Sequence, residues 1–413
     1  MKIAILHYTV PPIVGGVESV VAHHARLMSA NGHSVRLIAG RGEAMSQKIP
    51  FTLIPLADSR DARVMEMKRE LDLGKVTERF ASLRDELIDP LQNAISGADI
   101  LIAHNVCSLN KNLALTAALH QLHRSMKLPR LILWHHDLAW TTPRYQSELH
   151  DGYPWDLLRQ DWGKTTHVVV SESRRVELAT LLKLDPESIC IIPNGVDIAQ
   201  FYKLESKTQT LIEETNVLEA WPILLLPVRV TPRKNIELAL HTLAELKSLF
   251  PQAALVVTGP LGPHNANNHK YLKTLLDLRM QLNLQGSAYF LAELTDSFLS
   301  DKVIADFYRI ADALFFPSRE EGFGIPILEA GLAGLPVFCS DIPPLRKLGE
   351  NHVTYFSPDA DPQELAGVIA KQLSGNSIYN LRTMIRRQYT WEGIYSEKIA
   401  PLLAWPVQKK GDS

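Results

Sequence analysis

Cysteine is scarce in this chain. Its 413 residues include three, Cys107, Cys190 and Cys339, and no Cys-x-x-Cys pair. That excludes a disulfide framework and a thiolate zinc site. Long apolar runs are missing too. The opening MKIAILHYTV is too short for the core of a signal peptide and reads as a first strand. No stretch approaches the length of a membrane span. Charge of either sign is not in excess, and a formal net charge of −2 exerts no global pull on nucleic acid or an anionic membrane. No Gly-x-Ser-x-Gly nucleophile elbow is present. Gly163-Lys164-Thr165 resembles the close of a Walker motif, but Leu158 stands where its first glycine belongs. What remains is a cytoplasmic, soluble protein with no nucleic-acid partner and no transmembrane segment, compatible with peripheral membrane contact.

What is present is an ordinary globular composition, 46% hydrophobic and 21% charged, in a chain too long for one core. Short apolar runs alternate with helical patterns from end to end. Lys2–His7, Val35–Ala39, Phe51–Leu56, Ile100–His104, Leu131–His135, Val168–Ser171 and Ile189–Ile192 form one series of expected strands. Ile223–Val228, Ala254–Thr258, Ala288–Leu291, Ala313–Phe316, Val337–Ser340 and Val353–Phe356 form a second. Strands alternating with helices imply parallel sheets covered on both faces. Two series therefore imply an α/β protein of two doubly wound, Rossmann-like domains, with a boundary after Ile192-Pro-Asn-Gly-Val-Asp197. The segment Asp58–Pro90, with seven basic and nine acidic residues, reads as a solvated helical insertion with intrahelical pairs rather than a lid or membrane-facing arm. The tail Lys409–Ser413 reads as frayed. Asp359-x-Asp361 precedes a helical pattern, so capping explains it better than metal binding.

Ligands of open parallel sheets sit beyond the carboxyl ends of the strands. Four strand-to-helix junctions carry suitable residues. In Pro11-Pro-Ile-Val-Gly-Gly-Val-Glu18, Gly15 and Gly16 would let backbone N–H groups approach a phosphate, though without the Gly-x-Gly-x-x-Gly spacing of a nicotinamide site. Trp134-His-His-Asp137 could end its strand as a metal site, a catalytic site or a hydrogen-bonded terminus. Strand neighbours point to opposite faces, so only one of His135 and His136 enters a cleft easily. Arg229, Arg233 and Lys234 crowd a loop that opens a helix, a good setting for a diphosphate. Ser318-Arg-Glu-Glu-Gly-Phe-Gly-Ile-Pro-Ile-Leu-Glu-Ala330 places Glu321 and Glu329 around two glycines, with Pro326 expected at the first helical position. There the N–H groups of Phe323, Gly324 and Ile325 can face an anion beside Gly322, and Glu329 can accept bonds from paired hydroxyls.

Together these residues resemble the retaining glycosyltransferases of family 4. The resemblance covers nearly the whole chain and rests on Glu321-x7-Glu329, Gly15-Gly16-x-Glu18, Ile192-Pro-Asn-Gly-Val-Asp197, Arg229-x4-Lys234 and Gly259. It implies the GT-B fold, two Rossmann-like domains facing a central cleft. Residues 1–198 would be the acceptor-binding domain, with a C-terminal helix at 390–408 packing back on it, and 199–389 the nucleotide-sugar domain. It also implies transfer of a hexose from UDP-glucose or GDP-mannose to a hydroxyl of a small sugar-like molecule, glycan or lipid, with no cofactor or metal required. By the same resemblance Arg229 and Lys234 bind the diphosphate, Glu329 the ribose hydroxyls and Glu321 the donor sugar. Gly322, Phe323, Gly324 and Ile325 add backbone contacts, and Gly15 and Gly16 lie near the phosphate. His136 is the expected active-site histidine, and His136, Glu321, Arg229 and Lys234 are the expected catalytic set. His135, Asp137, Trp140, Arg144 and Tyr145 are expected at the acceptor, although tryptophans in such a loop also serve as local packing. An epimerase or phosphorylase of the same fold, or a protein that only binds nucleotide sugars, are the alternatives.

Overall fold

The computed structural model describes residues 1–259, 266–295 and 298–404. The end of the expected helix at 390–408 and the tail after it lie outside them. The chain divides into two compact units. One is Met1–Gly195 together with the segment from Trp391 onward; the other is Val196–Thr390.

The first unit is built on a seven-stranded sheet: β1 (Lys2–Leu6), β2 (Ser34–Ala39), β3 (Phe51–Leu53), β4 (Ile100–His104), β5 (Arg130–His135), β6 (Thr165–Val169) and β7 (Cys190–Ile191). All pairs are parallel, in the order β3-β2-β1-β4-β5-β6-β7. The second unit has a six-stranded sheet: β8 (Ile223–Leu226), β9 (Ala254–Val257), β10 (Ala288–Phe290), β11 (Ala313–Phe316), β12 (Val337–Ser340) and β13 (Thr354–Phe356). Its order is β10-β9-β8-β11-β12-β13, again parallel throughout. Continuous apolar strands such as Leu224–Leu226 and Leu314–Phe316 are fully buried because helices cover both faces. In each sheet the order reverses once, between β1 and β4 and between β8 and β11. Those are the switch points where loops part and leave a crevice.

Strand bounds differ from the sequence reading where polarity or proline intervenes. β6 starts at Thr165 because two threonines pair with Leu131 and Ile132, and an apolar count overlooks them. β3 stops at Leu53, and Pro55, which cannot donate to a ladder, opens a single helical turn. Asp361 does cap a helix, accepting from the N–H groups of Gln363 and Glu364 at 2.9 and 3.0 Å.

The segment Asp58–Pro90 departs further from expectation. It is not a solvated insertion but a helix pair, Ala62–Asp72 and Glu78–Ile95, carrying the chain from β3 to β4. Val64, Met67, Leu71, Phe80, Leu83, Leu87 and Leu91 are buried in the core of the first unit. Its ion pairs mostly join the two helices rather than successive turns of one. Arg63 meets Glu86 at 2.5 Å and Arg79 meets Glu66, while Lys68–Asp72 and Arg84–Asp85 each lie within one helix. Charge counts described the outer faces and hid the apolar stripe, which recurs at helical spacing.

From Trp391 the chain packs within the first unit. A Cβ on Gly195 would stand 2.7 Å from the Trp391 ring, which stacks on His23 at 5.0 Å. Arg130 donates to the carbonyls of Leu402 and Leu403 at 2.9 and 3.0 Å, satisfying acceptors near a helix end.

At Gly259, after β9, a Cβ would collide with the backbone carbonyl of Val228, which cannot step aside. Gly259→Ala is expected to destabilise the second unit by roughly 1–3 kcal/mol. Gly331→Ala, on a helix with open space around it, should be neutral or stabilising by up to about 1 kcal/mol. Denaturant unfolding of both variants checks the contrast.

Candidate functional site

At the β8/β11 switch point the second unit gathers its charged residues. After β8 the chain runs through exposed Arg229 and Arg233 to a single turn, Pro232–Lys234. Lys234 is turned inward. Its ammonium pairs with the Glu321 carboxylate, both side chains being 9% exposed, and lies 5.4 Å from the centroid of the Phe316 ring. Two opposite charges with mutual hydrogen bonding are what makes such burial tolerable. Removing either partner would strand the other.

After Glu321 the loop turns through Gly322, where nothing lies within 4 Å of a Cβ, and Gly324 at φ +106. Gly324 caps the helix Ile325–Leu332 in a conformation that strains other residues, and a Cβ there would meet Leu345 at 2.5 Å. Pro326 occupies the second helical position, one later than expected, because Gly324 rather than Ile325 supplies the cap. Phe323 and Ile325 are exposed, and Glu329 is half-buried. The Tyr308 phenol donates to the Pro326 carbonyl at 3.4 Å and lies beside Glu329; burial first and then Glu329 push its pKa up. Tyr308 sits in an unremarkable helix, Asp301–Ile310, and no sequence signal marked it.

At the β1/β4 switch point the first unit gathers histidines. His136 follows the end of β5, and its backbone N–H donates to Asn105 Oδ1 at 2.8 Å; the N–H of Asp137 shares that oxygen at 3.3 Å. Asn105, at φ +57 just past β4, therefore shapes the loop. An Asn closing an apolar run was the available signal. His136 Nε2 meets His104 Nδ1 at 3.1 Å, and His7 Nδ1 meets the His104 carbonyl at 2.8 Å. His24, buried on the helix Gly16–Ala30, lies 4.6 Å from the Trp134 ring and 5.5 Å from the His104 ring, centroid to centroid. Burial is the main cause that lowers the imidazoles, His7 to about 4, His24 to about 3 and His136 to about 3. All three are neutral near pH 7.

His135 and His136 point apart, as strand alternation requires. The His135 ring is buried and bonds His167 on β6 at 3.0 Å. That ties His135 into the sheet and away from a ligand, contrary to its expected place at the acceptor. The aromatics of the following loop are also engaged. Trp140 donates to the Trp155 carbonyl at 3.3 Å and carries the Arg159 guanidinium 4.0 Å from its ring centroid, and Trp155 is buried. Of the expected acceptor residues, Arg144 is exposed, stacked over Tyr145 at 4.6 Å, and Asp137 is half-exposed beside Arg174. Among the described residues no group of three or more His, Cys, Asp or Glu could hold a metal ion.

Family models match both units. Residues 14–200 match Glycosyltransferase Family 4 and residues 208–390 match Glycosyl transferases group 1. The chain is 25% identical over 370 residues to a mannosylglucosylglycerate synthase of Petrotoga mobilis, covering 84% of each chain. It is 22% identical over 431 residues to an MMP alpha-(1->4)-mannosyltransferase of Mycolicibacterium hassiacum, covering 97% of each. The solved glycosyltransferase WaaG aligns over 98% of this chain and 100% of its own at 18% identity, but a TM-score of 0.37 adds nothing to the family match. Two parallel α/β units of these families define a glycosyltransferase of GT-B type. The chain belongs to the family 4 glycosyltransferases.

The neutral histidines make the first unit acid-sensitive. Their folded pKa values lie below the ordinary 6.5, so between about pH 6.5 and 4 the unfolded chain binds more protons. Stability is therefore lost as pH falls through that window, by up to about 1.4 kcal/mol per pH unit for each of these histidines. Denaturant midpoints measured from pH 7 to pH 4.5 should fall steeply, and His24→Phe should flatten the slope.

Proposed function

We propose that the chain is a retaining hexosyltransferase that moves glucose or mannose from a nucleotide diphosphate sugar to a hydroxyl of a sugar-like acceptor. The observation that carries this reading is the buried Lys234–Glu321 pair at the β8/β11 switch point, one helical segment away from Glu329. The two relatives that align over most of the chain, a mannosylglucosylglycerate synthase and an alpha-(1->4)-mannosyltransferase, favour mannose.

On this reading the donor diphosphate lies beside Arg229 and Lys234, with N–H groups of Phe323, Gly324 and Ile325 aimed at it. Lys234 then exchanges its carboxylate partner for phosphate, and Glu321 is released to accept hydroxyls of the donor sugar. Glu329, oriented by Tyr308, takes the ribose hydroxyls. Breaking the bond from the anomeric carbon to the phosphate oxygen builds positive charge on the sugar and negative charge on the diphosphate. Fixed cations and N–H dipoles at the leaving group are therefore the main catalytic device. The acceptor oxygen bonds to the anomeric carbon on the face the phosphate leaves, and the acceptor proton passes to the departing phosphate oxygen. His136, neutral at working pH, offers its ring to substrate hydroxyls.

Incubation with GDP-mannose and UDP-glucose, with product anomers read by NMR, tests the reading. Transfer with retained configuration is the expected outcome, and an inverted product or an epimerised donor would refute it. Lys234→Ala should lower kcat/KM by about 100-fold or more. Tyr308→Phe should raise the donor KM by about threefold to tenfold with little change in kcat, since it orients a binding carboxylate.

A further inference from the structure

The first unit contains a second arrangement that the donor chemistry does not use. His7 follows β1 and is 5% exposed; Glu18 stands in the first turn of the next helix with 15% of its side chain exposed. His7 Nδ1 must donate to reach the His104 carbonyl at 2.8 Å, because a carbonyl only accepts. In the neutral ring that leaves Nε2 as a lone pair. It faces Glu18 Oε1 at 3.9 Å, too far for a hydrogen bond between them. Thr9 donates its hydroxyl to the same carboxylate and holds it in place. Burial keeps His7 neutral, outweighing the opposite pull of the His104 carbonyl and of Glu18, and the exposed Lys111 adds to it. Two fixed acceptors thus stand side by side, one charged and one neutral, at the β1/β4 switch point.

Gly15 belongs to this arrangement. Its φ is −175, an extended conformation open to any residue, so its backbone does not require glycine. A Cβ there would collide with the Glu18 carboxylate, which folds back over the loop. At Gly16 a Cβ would meet nothing within 4 Å. A Cβ at Gly15 would therefore oblige the carboxylate to move.

From this geometry we infer that His7 Nε2 and the Glu18 carboxylate form a recognition site for a vicinal diol of the acceptor. Such a diol presents two O–H donors on adjacent carbons, one for each of the paired acceptors, and an anionic group would be repelled by Glu18. The inference rests on the glycosyltransferase reading above. It assigns the β1/β4 junction to acceptor specificity rather than to the donor phosphate.

The test uses the 413-residue chain with whichever of GDP-mannose and UDP-glucose it turns over. The acceptor probes are methyl α-D-mannopyranoside, methyl α-D-glucopyranoside, myo-inositol and glycerol. Glu18→Gln and His7→Phe should each raise the KM for the accepted probe about tenfold or more while the donor KM stays within about twofold. Gly15→Ala moves the carboxylate without deleting it, so it should give the same pattern with an unchanged unfolding midpoint. Removing one hydroxyl of the probe's diol should cost wild type about tenfold and cost Glu18→Gln or His7→Phe much less. An equal rise in donor KM, undiminished sensitivity of both variants to the missing hydroxyl, or donor hydrolysis without transfer to any probe would overturn the assignment. If no nucleotide sugar is turned over at all, the glycosyltransferase reading fails instead.

Discussion

A parallel sheet with helices on both faces leaves no room for an unpaired charge along its strands. The cost of burying one there is many times the stability that any single contact returns. Polar chemistry is therefore pushed to the strand ends, and it collects where the strand order reverses. Both sheets obey this constraint. The ammonium and carboxylates of the second unit lie at the β8/β11 reversal, and the histidines and Glu18 of the first lie at the β1/β4 reversal.

The two junctions solve the burial problem differently. In the second unit Lys234 and Glu321 offset the cost of each other's burial by pairing. In the first unit the imidazoles give up their charge; burial holds His7, His24 and His136 neutral. A paired cation suits a group on which negative charge develops. A neutral ring beside a carboxylate suits a ligand that brings hydroxyl protons. On the proposed reading, that division corresponds to the two sides of a transfer reaction, a leaving phosphate and an arriving alcohol.

Much of this was legible in the residues. The buried strands showed as short apolar runs, because a strand covered on both faces needs no alternation. Glu321, Glu329, Arg229 and Lys234 stood out because charges and glycines at a strand-to-helix junction conflict with a plain turn. The helix pair over Asp58–Pro90 was misread, since its charges are many and its apolar residues are spaced rather than contiguous. His135 and Trp140 looked available for a ligand. His167 and Arg159, each well separated from them along the chain, are what engage them.

Composition and strand spacing by themselves pointed to two doubly wound domains; the glycosyltransferase family came from the resemblance that the junction motifs carry, and the family models match it. Those features are local, set by which residues can bury and which glycines a turn requires. Only the tertiary structure decided which groups share a site. It brought Tyr308 to Glu329, closed Lys234 on Glu321, and fixed the His7 tautomer through a carbonyl from a neighbouring strand. Those pairings join residues from distant parts of the chain, and their distances and protonation states follow from packing, which no local pattern records.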